Sequence, residues 1–168
     1  YKEKEFYNII ELSWKKELNG RSCSLQEKAS RLLNIPFDKN QSDTKIDYEI
    51  SDRPNDIPPG KYVCISTQST AQAKFWNCKD GWETIVEYLN GIGYQVVCID
   101  RFEKFGIDNY FNHIPRNAIN KTGVESEFGN FSGVTKYLQH CDFFIGLGSG
   151  LSWLSWAMKI PTILISNF

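Results

Sequence analysis

Apolar positions in this 168-residue chain fall into short runs, and their spacing changes along its length. In Y-K-E-K-E-F-Y-N-I-I-E-L-S-W-K-K-E-L, Phe6, Ile9, Ile10, Leu12 and Trp14 form a broad helical face that stops at Asn19-Gly20. Ser24-Leu25-Gln26-Glu27 then has the serine-to-glutamate spacing of a capping box. It predicts a helix over Leu25–Leu33 that Pro36 closes. Residues 38–60 are polar, proline-bearing and without period. They read as a linker, with one short strand expected at 46–50.

From Lys61 onward short apolar runs alternate with segments of helical length. K-Y-V-C-I-S (61–66) reads as a strand, and Asp80-Gly81-Trp82-Glu83 as a second cap signature opening a helix over 82–90. Gly91 and Gly93 end that helix, and Y-Q-V-V-C-I-D (94–100) is the next strand. Strand, helix and strand in this order make a βαβ unit, which implies a parallel sheet with a right-handed crossover. Gly106, Pro115, Gly123 and Gly129 break up the following stretch, with a brief strand expected at 118–120 and a helix at 132–140. The chain then reads strand (142–147), Gly148-Ser149-Gly150 turn, helix, and strand (Thr162–Ile165). Leu151, Trp153, Leu154, Trp156, Ala157 and Met158 point all round that last helix, which predicts burial between layers. The expected fold class is α/β: a Rossmann-like open parallel sheet with helices on both faces, preceded by an N-terminal helical segment. Three parts are expected: a helical segment (1–37) ending a preceding domain, a linker (38–60), and the sheet domain (61–168).

Composition narrows the field. The net charge of −1 and the lack of a Lys/Arg-rich run disfavour a nucleic-acid partner held by electrostatics. No apolar run approaches the roughly 20 residues of a spanning helix, no signal-peptide pattern opens the chain, and cysteine usage without a disulfide framework leads to an expected cytoplasmic location. The five cysteines (Cys23, Cys64, Cys78, Cys98, Cys141) are odd in number, widely spaced and without C-x-x-C. They read as reduced structural thiols. With two histidines, neither at ligand spacing, zinc has no framework.

Ligands of open α/β sheets sit at the carboxyl ends of the strands, so the loops there are the places to look for chemistry. T-Q-S-T-A-Q-A-K-F-W (67–76) places hydroxyls, amides and Lys74 after the first strand. These groups suit phosphate oxygens, although G-x-x-x-x-G-K is absent and a solvated polar loop fits equally. The Gly148-Ser149-Gly150 turn opens a helix whose first N–H groups and dipole favour an anion. It lacks the third glycine of the dinucleotide fingerprint, and Ser149 serves as well as a simple N-cap. Asp100 and Glu103 end the second strand, where an acidic group commonly meets a ribose hydroxyl; solvated carboxylates fit too. Trp76 and Trp82 read as core, and His113 and His140 as structural or exposed, with no catalytic role. G-x-S-x-G is not met, which argues against a serine hydrolase.

Two blocks, I-S-T-Q-S-T-A-Q-A-K-F-W-N (65–77) and F-F-I-G-L-G-S-G-L-S-W-L-S-W-A (143–157), resemble the C-terminal half of the heptosyltransferase family, and most closely its autotransporter branch. The resemblance spans about 61–168. It implies the nucleotide-sugar-binding domain of an inverting, metal-independent glycosyltransferase of the two-Rossmann-domain type. The donor would be a nucleotide-sugar such as ADP-heptose, with no cofactor, and the acceptor a protein or glycolipid reached through a missing N-terminal domain. By the same resemblance Ser69, Thr70 and Lys74 contact the donor diphosphate, Ser149, Gly150 and Leu151 the phosphate or sugar, and Asp100 or Glu103 the nucleoside. The general base would lie in the missing domain, leaving this chain inactive alone. Many members have Asp at Gly148 and His at Trp153; losing the Asp removes a partner for sugar hydroxyls, so the sugar stays open. The autotransporter branch also continues into a cysteine-rich, iron-binding segment without counterpart here. The alternative is a non-catalytic nucleotide- or phosphate-binding α/β module.

Overall fold

The structure is a computed structural model that describes residues 23–41, 45–108, 110–123 and 132–166. The helix expected before Asn19 lies outside the described residues. The chain divides into two compact units, Tyr1–Thr44 and Lys45–Phe168.

In the first unit, helix α1 (Leu25–Leu33) starts where the capping box placed it, with Ser24 Oγ accepting from Glu27 N at 3.1 Å. Arg31 pairs with Glu27 one turn back, and Asn34 ends the helix in the left-handed region at φ 55°.

The second unit is the α/β sheet that the sequence predicts. Strands β1 (Tyr62–Ser66), β2 (Gln95–Cys98), β5 (Ile119–Asn120), β6 (Phe144–Leu147) and β7 (Thr162–Ile165) pair in parallel in the order β5-β2-β1-β6-β7. A small antiparallel hairpin, β3 (Gly106–Ile107) and β4 (Tyr110–Phe111), stands apart from this sheet. Helices α2 (Gly81–Gly91), α3 (Ser132–Leu138) and α4 (Gly150–Ala157) supply the crossovers.

Alternation along the strands builds two apolar layers. Val63, Ile65, Val96, Cys98, Ile145 and Leu147 pack with Phe75 and with Trp82, Val86 and Leu89 of α2. On the other face Tyr62, Cys64, Val97, Ile99 and Phe144 meet Val134, Tyr137 and Leu138 of α3. Burial pushes the Cys64 and Cys98 thiols well up, which keeps them protonated and consistent with packing roles. No disulfide joins the cysteines among the described residues.

Three local expectations change. Residues 46–50 form no strand: Ile46 N donates to Ala157 O and Ser51 N to Gln139 Oε1, so isolated bonds to helix ends replace a ladder. Asp80 does not cap α2 through its side chain. It takes the left-handed conformation (φ 55°), and its carbonyl receives both Thr84 N and Thr84 Oγ1. Helix α4 is not buried all round. Its small face goes inward, with Ser152 Oγ donating to Leu147 O and Ser155 Oγ 2.9 Å from Thr162 Oγ1, while Trp153 is 64% exposed. The serines let the helix lie close to the sheet. A Cβ on Gly146 would stand 3.1 Å from Ser152 Oγ and 2.6 Å from the Phe144 ring, so β6 needs glycine where α4 crosses it.

The topology fixes where a ligand can enter. After β1 the chain moves outward to β2 and β5, then returns to place β6 on the other side of β1 and continues to β7. The order therefore reverses between β1 and β6, and connections leaving their carboxyl ends diverge to open a crevice.

Candidate donor site

A cleft of about 290 Å³ occupies that crevice. Its lining comes from three strand ends: Ser66, the last residue of β1, with Gln68, Ser69 and Thr70 after it; Asp100, Arg101, Phe102 and Phe105 after β2; and Ser149, Gly150 and Leu151 after β6. Of the residues singled out from sequence, Ser69, Thr70, Asp100, Ser149, Gly150 and Leu151 thus meet at one place.

Lys74 arrives by a different route. It closes a 3₁₀ turn (Gln72–Lys74) beyond the lining loop, and its Nζ donates to Gly148 O at 3.0 Å. The ammonium is thereby held against the glycine turn, one residue from Ser149, with further donor positions available to an anion. A Cβ added to Gly148 or Gly150 would meet open space, so their lack of side chains keeps the approach to the start of α4 clear. Glu103 is not brought to the cleft. It is exposed, and its Oε1 accepts from Asn120 Nδ2 at 3.0 Å.

Asp100 is fully buried at the floor of the cleft. Oδ1 accepts from Ser66 Oγ (2.6 Å) and Gln68 N (3.2 Å), and Oδ2 from Thr67 N (2.9 Å), Thr67 Oγ1 (2.7 Å) and Cys98 Sγ (3.3 Å). These bonds occupy the lone-pair positions of the carboxylate, so it fastens the β1 loop instead of presenting a free oxygen to a ribose.

The serines behave differently. Ser69 Oγ and Ser149 Oγ are covered from solvent and have no hydrogen-bond partner among the described residues. Ser149 occupies the N-cap position of α4, yet its side chain makes no cap bond. Buried hydroxyls rarely remain unpaired, and here two of them belong to one cleft.

The β2 loop supplies residues that the broken stretch after Asp100 did not disclose. Phe102 and Phe105 stack at 5.7 Å between centroids with 10° between planes, and the Arg101 guanidinium lies 5.1 Å from the Phe102 ring. The available signal was R-F-E-K-F immediately after a strand: two aromatics three residues apart at a carboxyl end.

A second, smaller cavity of about 60 Å³ lies near Trp76, Trp82 and His113. There His113 Nε2 is 2.9 Å from Glu83 Oε1. Burial alone would raise the Glu83 carboxyl, but the His113 bond and backbone hydrogen bonding hold it below the usual range.

Comparison with known proteins gives this geometry a context. The model of glycosyltransferase family 9 (heptosyltransferase) matches residues 15–165. The autotransporter heptosyltransferase TibC of Escherichia coli O78:H11 (strain H10407 / ETEC) is 49% identical over 107 residues, covering 64% of this chain and 25% of TibC. A crystal structure of the iron-containing dodecameric glycosyltransferase TibC from enterotoxigenic E. coli H10407 superposes with TM-score 0.73 at 38% identity, over 89% of this chain and 37% of that one. TibC in complex with ADP-D-β-D-heptose superposes with TM-score 0.74 at 38% identity, over 90% and 37%. The chain therefore spans about a quarter of its curated relative. The expectation that no metal is required does not stand, because the solved relative is iron-containing. Among the described residues no group of three or more His, Cys, Asp or Glu assembles to hold a metal, so the iron has no fitting donor set within them. No helix among them is long and apolar enough to cross a membrane.

Proposed function

The chain belongs to glycosyltransferase family 9 (heptosyltransferase), and on that premise we propose that it is the donor-binding part of an inverting glycosyltransferase. In this reading the cleft holds a nucleotide-sugar of the ADP-heptose type. One observation carries the proposal: two buried, unpartnered hydroxyls from loops far apart in sequence, Ser69 and Ser149, line one cleft beside the ammonium of Lys74. The hydroxyls gain partners when a diphosphate enters, each rotating between staggered positions to reach it. Solution of TibC with ADP-D-β-D-heptose supports the choice of donor.

Each group then has a chemical task. As an acceptor hydroxyl attacks the anomeric carbon, the bond to the diphosphate breaks and its electron pair moves to the phosphate oxygen. Lys74, Ser69, Thr70 and the first N–H groups of α4 surround that developing charge and stabilise it. Leu151 and Gly150 bound the phosphate and sugar side. The Phe102–Phe105 ledge offers its face to the base, and Asp100 holds the β1 loop in place. Asp100 is the carboxylate in the described lining, and its oxygens are occupied, so deprotonation of the acceptor falls to a group elsewhere in the full protein. The acceptor, protein or glycolipid, approaches through that remaining portion.

Calorimetric titration of the full-length protein with ADP and ADP-heptose tests this reading. Wild type is expected to bind both. Lys74→Ala is expected to weaken binding by about tenfold or more, the loss of one charge-assisted hydrogen bond to phosphate. Absence of ADP binding at millimolar ligand, or binding indifferent to Lys74→Ala, defeats it.

A further inference from the structure

The main chain beneath each ring of the aromatic ledge is held by a side-chain amide tied to the β1 loop. Gln68, buried in the lining, forms a two-point clasp on the peptide of Phe102: its Nε2 donates to Phe102 O, and its Oε1 accepts from Phe102 N at 3.2 Å. Asn112 holds the main chain of Phe105 with one side-chain and one backbone bond. Phe105 N donates to Asn112 Oδ1 (2.7 Å), Asn112 N donates to Phe105 O (3.1 Å), and Asn112 Nδ2 reaches back to Thr67 Oγ1 (2.9 Å). Phe102 is nonetheless 44% exposed, so the clasp is not a by-product of burying its ring.

Gln68 also precedes Ser69, whose hydroxyl is one of the two without a partner. The main chain of Gln68 is fixed by Asp100 and its side chain by Phe102. One residue therefore sets the distance between the hydroxyl on the phosphate side and the aromatic face across the cleft. A diphosphate alone would engage only the first; a nucleoside diphosphate needs both at fixed spacing. Pre-set spacing favours the larger ligand because less has to be ordered on binding.

We propose that Gln68 is a positioning residue whose clasp on Phe102 makes the cleft select an aromatic nucleoside diphosphate over a bare diphosphate. The inference rests on the donor-site reading above and adds the source of its selectivity. The measurable quantity is the ratio of affinities for ADP and inorganic pyrophosphate, which a general loss of structure would leave unchanged.

The test titrates the full-length protein, as wild type, Gln68→Ala and Gln68→Glu, with each of these two ligands. Glu keeps the length and the acceptor for Phe102 N but removes the donor to Phe102 O. Gln68→Ala is expected to weaken ADP about tenfold, a typical worth of one base–aromatic stack, while pyrophosphate changes by less than about twofold. Gln68→Glu should fall between, and it carries the test if the alanine variant does not fold. Parallel losses for both ligands, or ADP affinity within about twofold of wild type in both variants, overturn the proposal. Wild type binding pyrophosphate as tightly as ADP also overturns it, while leaving the phosphate reading intact. Wild type binding neither ligand removes the donor-site reading itself.

Discussion

Two sets of hydroxyls in the same crevice behave oppositely. At the β1 corner, Ser66 and Thr67 spend their hydroxyls on Asp100, and Thr67 also accepts from Asn112. A residue or two further, and across the cleft on the glycine turn, Ser69 and Ser149 are equally covered from solvent but unpartnered among the described residues. Residue type cannot separate the sets, since all four are serine or threonine at or just beyond the carboxyl end of a strand. The difference lies in the acceptor. Asp100 takes the hydroxyls of Ser66 and Thr67 and fixes the base of the crevice, whereas those of Ser69 and Ser149 make no bond to it and, on the proposed reading, serve the ligand. A satisfied polar group argues for architecture, and a buried unsatisfied one argues for a ligand.

Removing the acceptor is the largest perturbation of this contrast. Asp100→Ala strands the donors of Ser66, Thr67 and Gln68 in a buried corner, and Asp100→Asn turns an amide N–H toward groups that already donate. Either is expected to lower unfolding free energy by about 3–5 kcal/mol, the range for breaking a buried, charged hydrogen-bond network. Urea denaturation of wild type and variants measures it. A loss under about 1 kcal/mol would mean that the corner stands without its carboxylate and that the contrast is drawn in the wrong place.

Alanine at the unpartnered serines should do the reverse. Ser69→Ala and Ser149→Ala each delete a buried hydroxyl without a partner among the described residues, so stability should stay level or rise by up to about 1 kcal/mol. ADP affinity should nevertheless drop by about threefold to tenfold, one neutral hydrogen bond's worth. Thermal melts beside calorimetric titrations separate the two effects. Destabilisation with unchanged ADP binding would return both serines to the architectural set.

What the sequence disclosed follows the same division. The apolar runs of β1, β2 and β6 announced a buried parallel sheet, that of β7 its parallel edge, where Ile163 and Leu164 are exposed, and the Ser24–Glu27 spacing announced α1. Helix α4 misled because its inward face is small and hydroxylic: Ser152 and Ser155 pack, Trp153 does not, and apolar bulk alone gives the opposite assignment. Asp100 was visible as an acid at a strand end, but a string of letters cannot say that its oxygens are already taken. Phe102 and Phe105 were hidden in a stretch without period, where an aromatic ledge depends on tertiary hydrogen bonds from Gln68 and Asn112. The approach of Lys74 to Gly148 depends on the reversal of strand order, since these residues lie 74 positions apart.

A milder case lies between the two sets and gives the smallest expected effect. Asp56 accepts from Lys121 Nζ and from Tyr137 Oη, both at 2.7 Å, but its side chain is 40% exposed, so water competes with both partners. The Lys121 bond, then the Tyr137 bond, hold its carboxyl below the ordinary value of 3.8. A carboxyl depressed on folding contributes stability above its ordinary value and loses it as pH falls toward the lower folded value. The melting temperature of wild type should therefore exceed that of Asp56→Asn at neutral pH by a small margin, and the margin should close as pH drops below 3.8. Lys121→Met, which leaves the Tyr137 bond in place, should retain part of the pH dependence. A margin that persists unchanged into acid would mean that the ionised carboxylate contributes nothing, and that half-exposed polar groups belong to neither set.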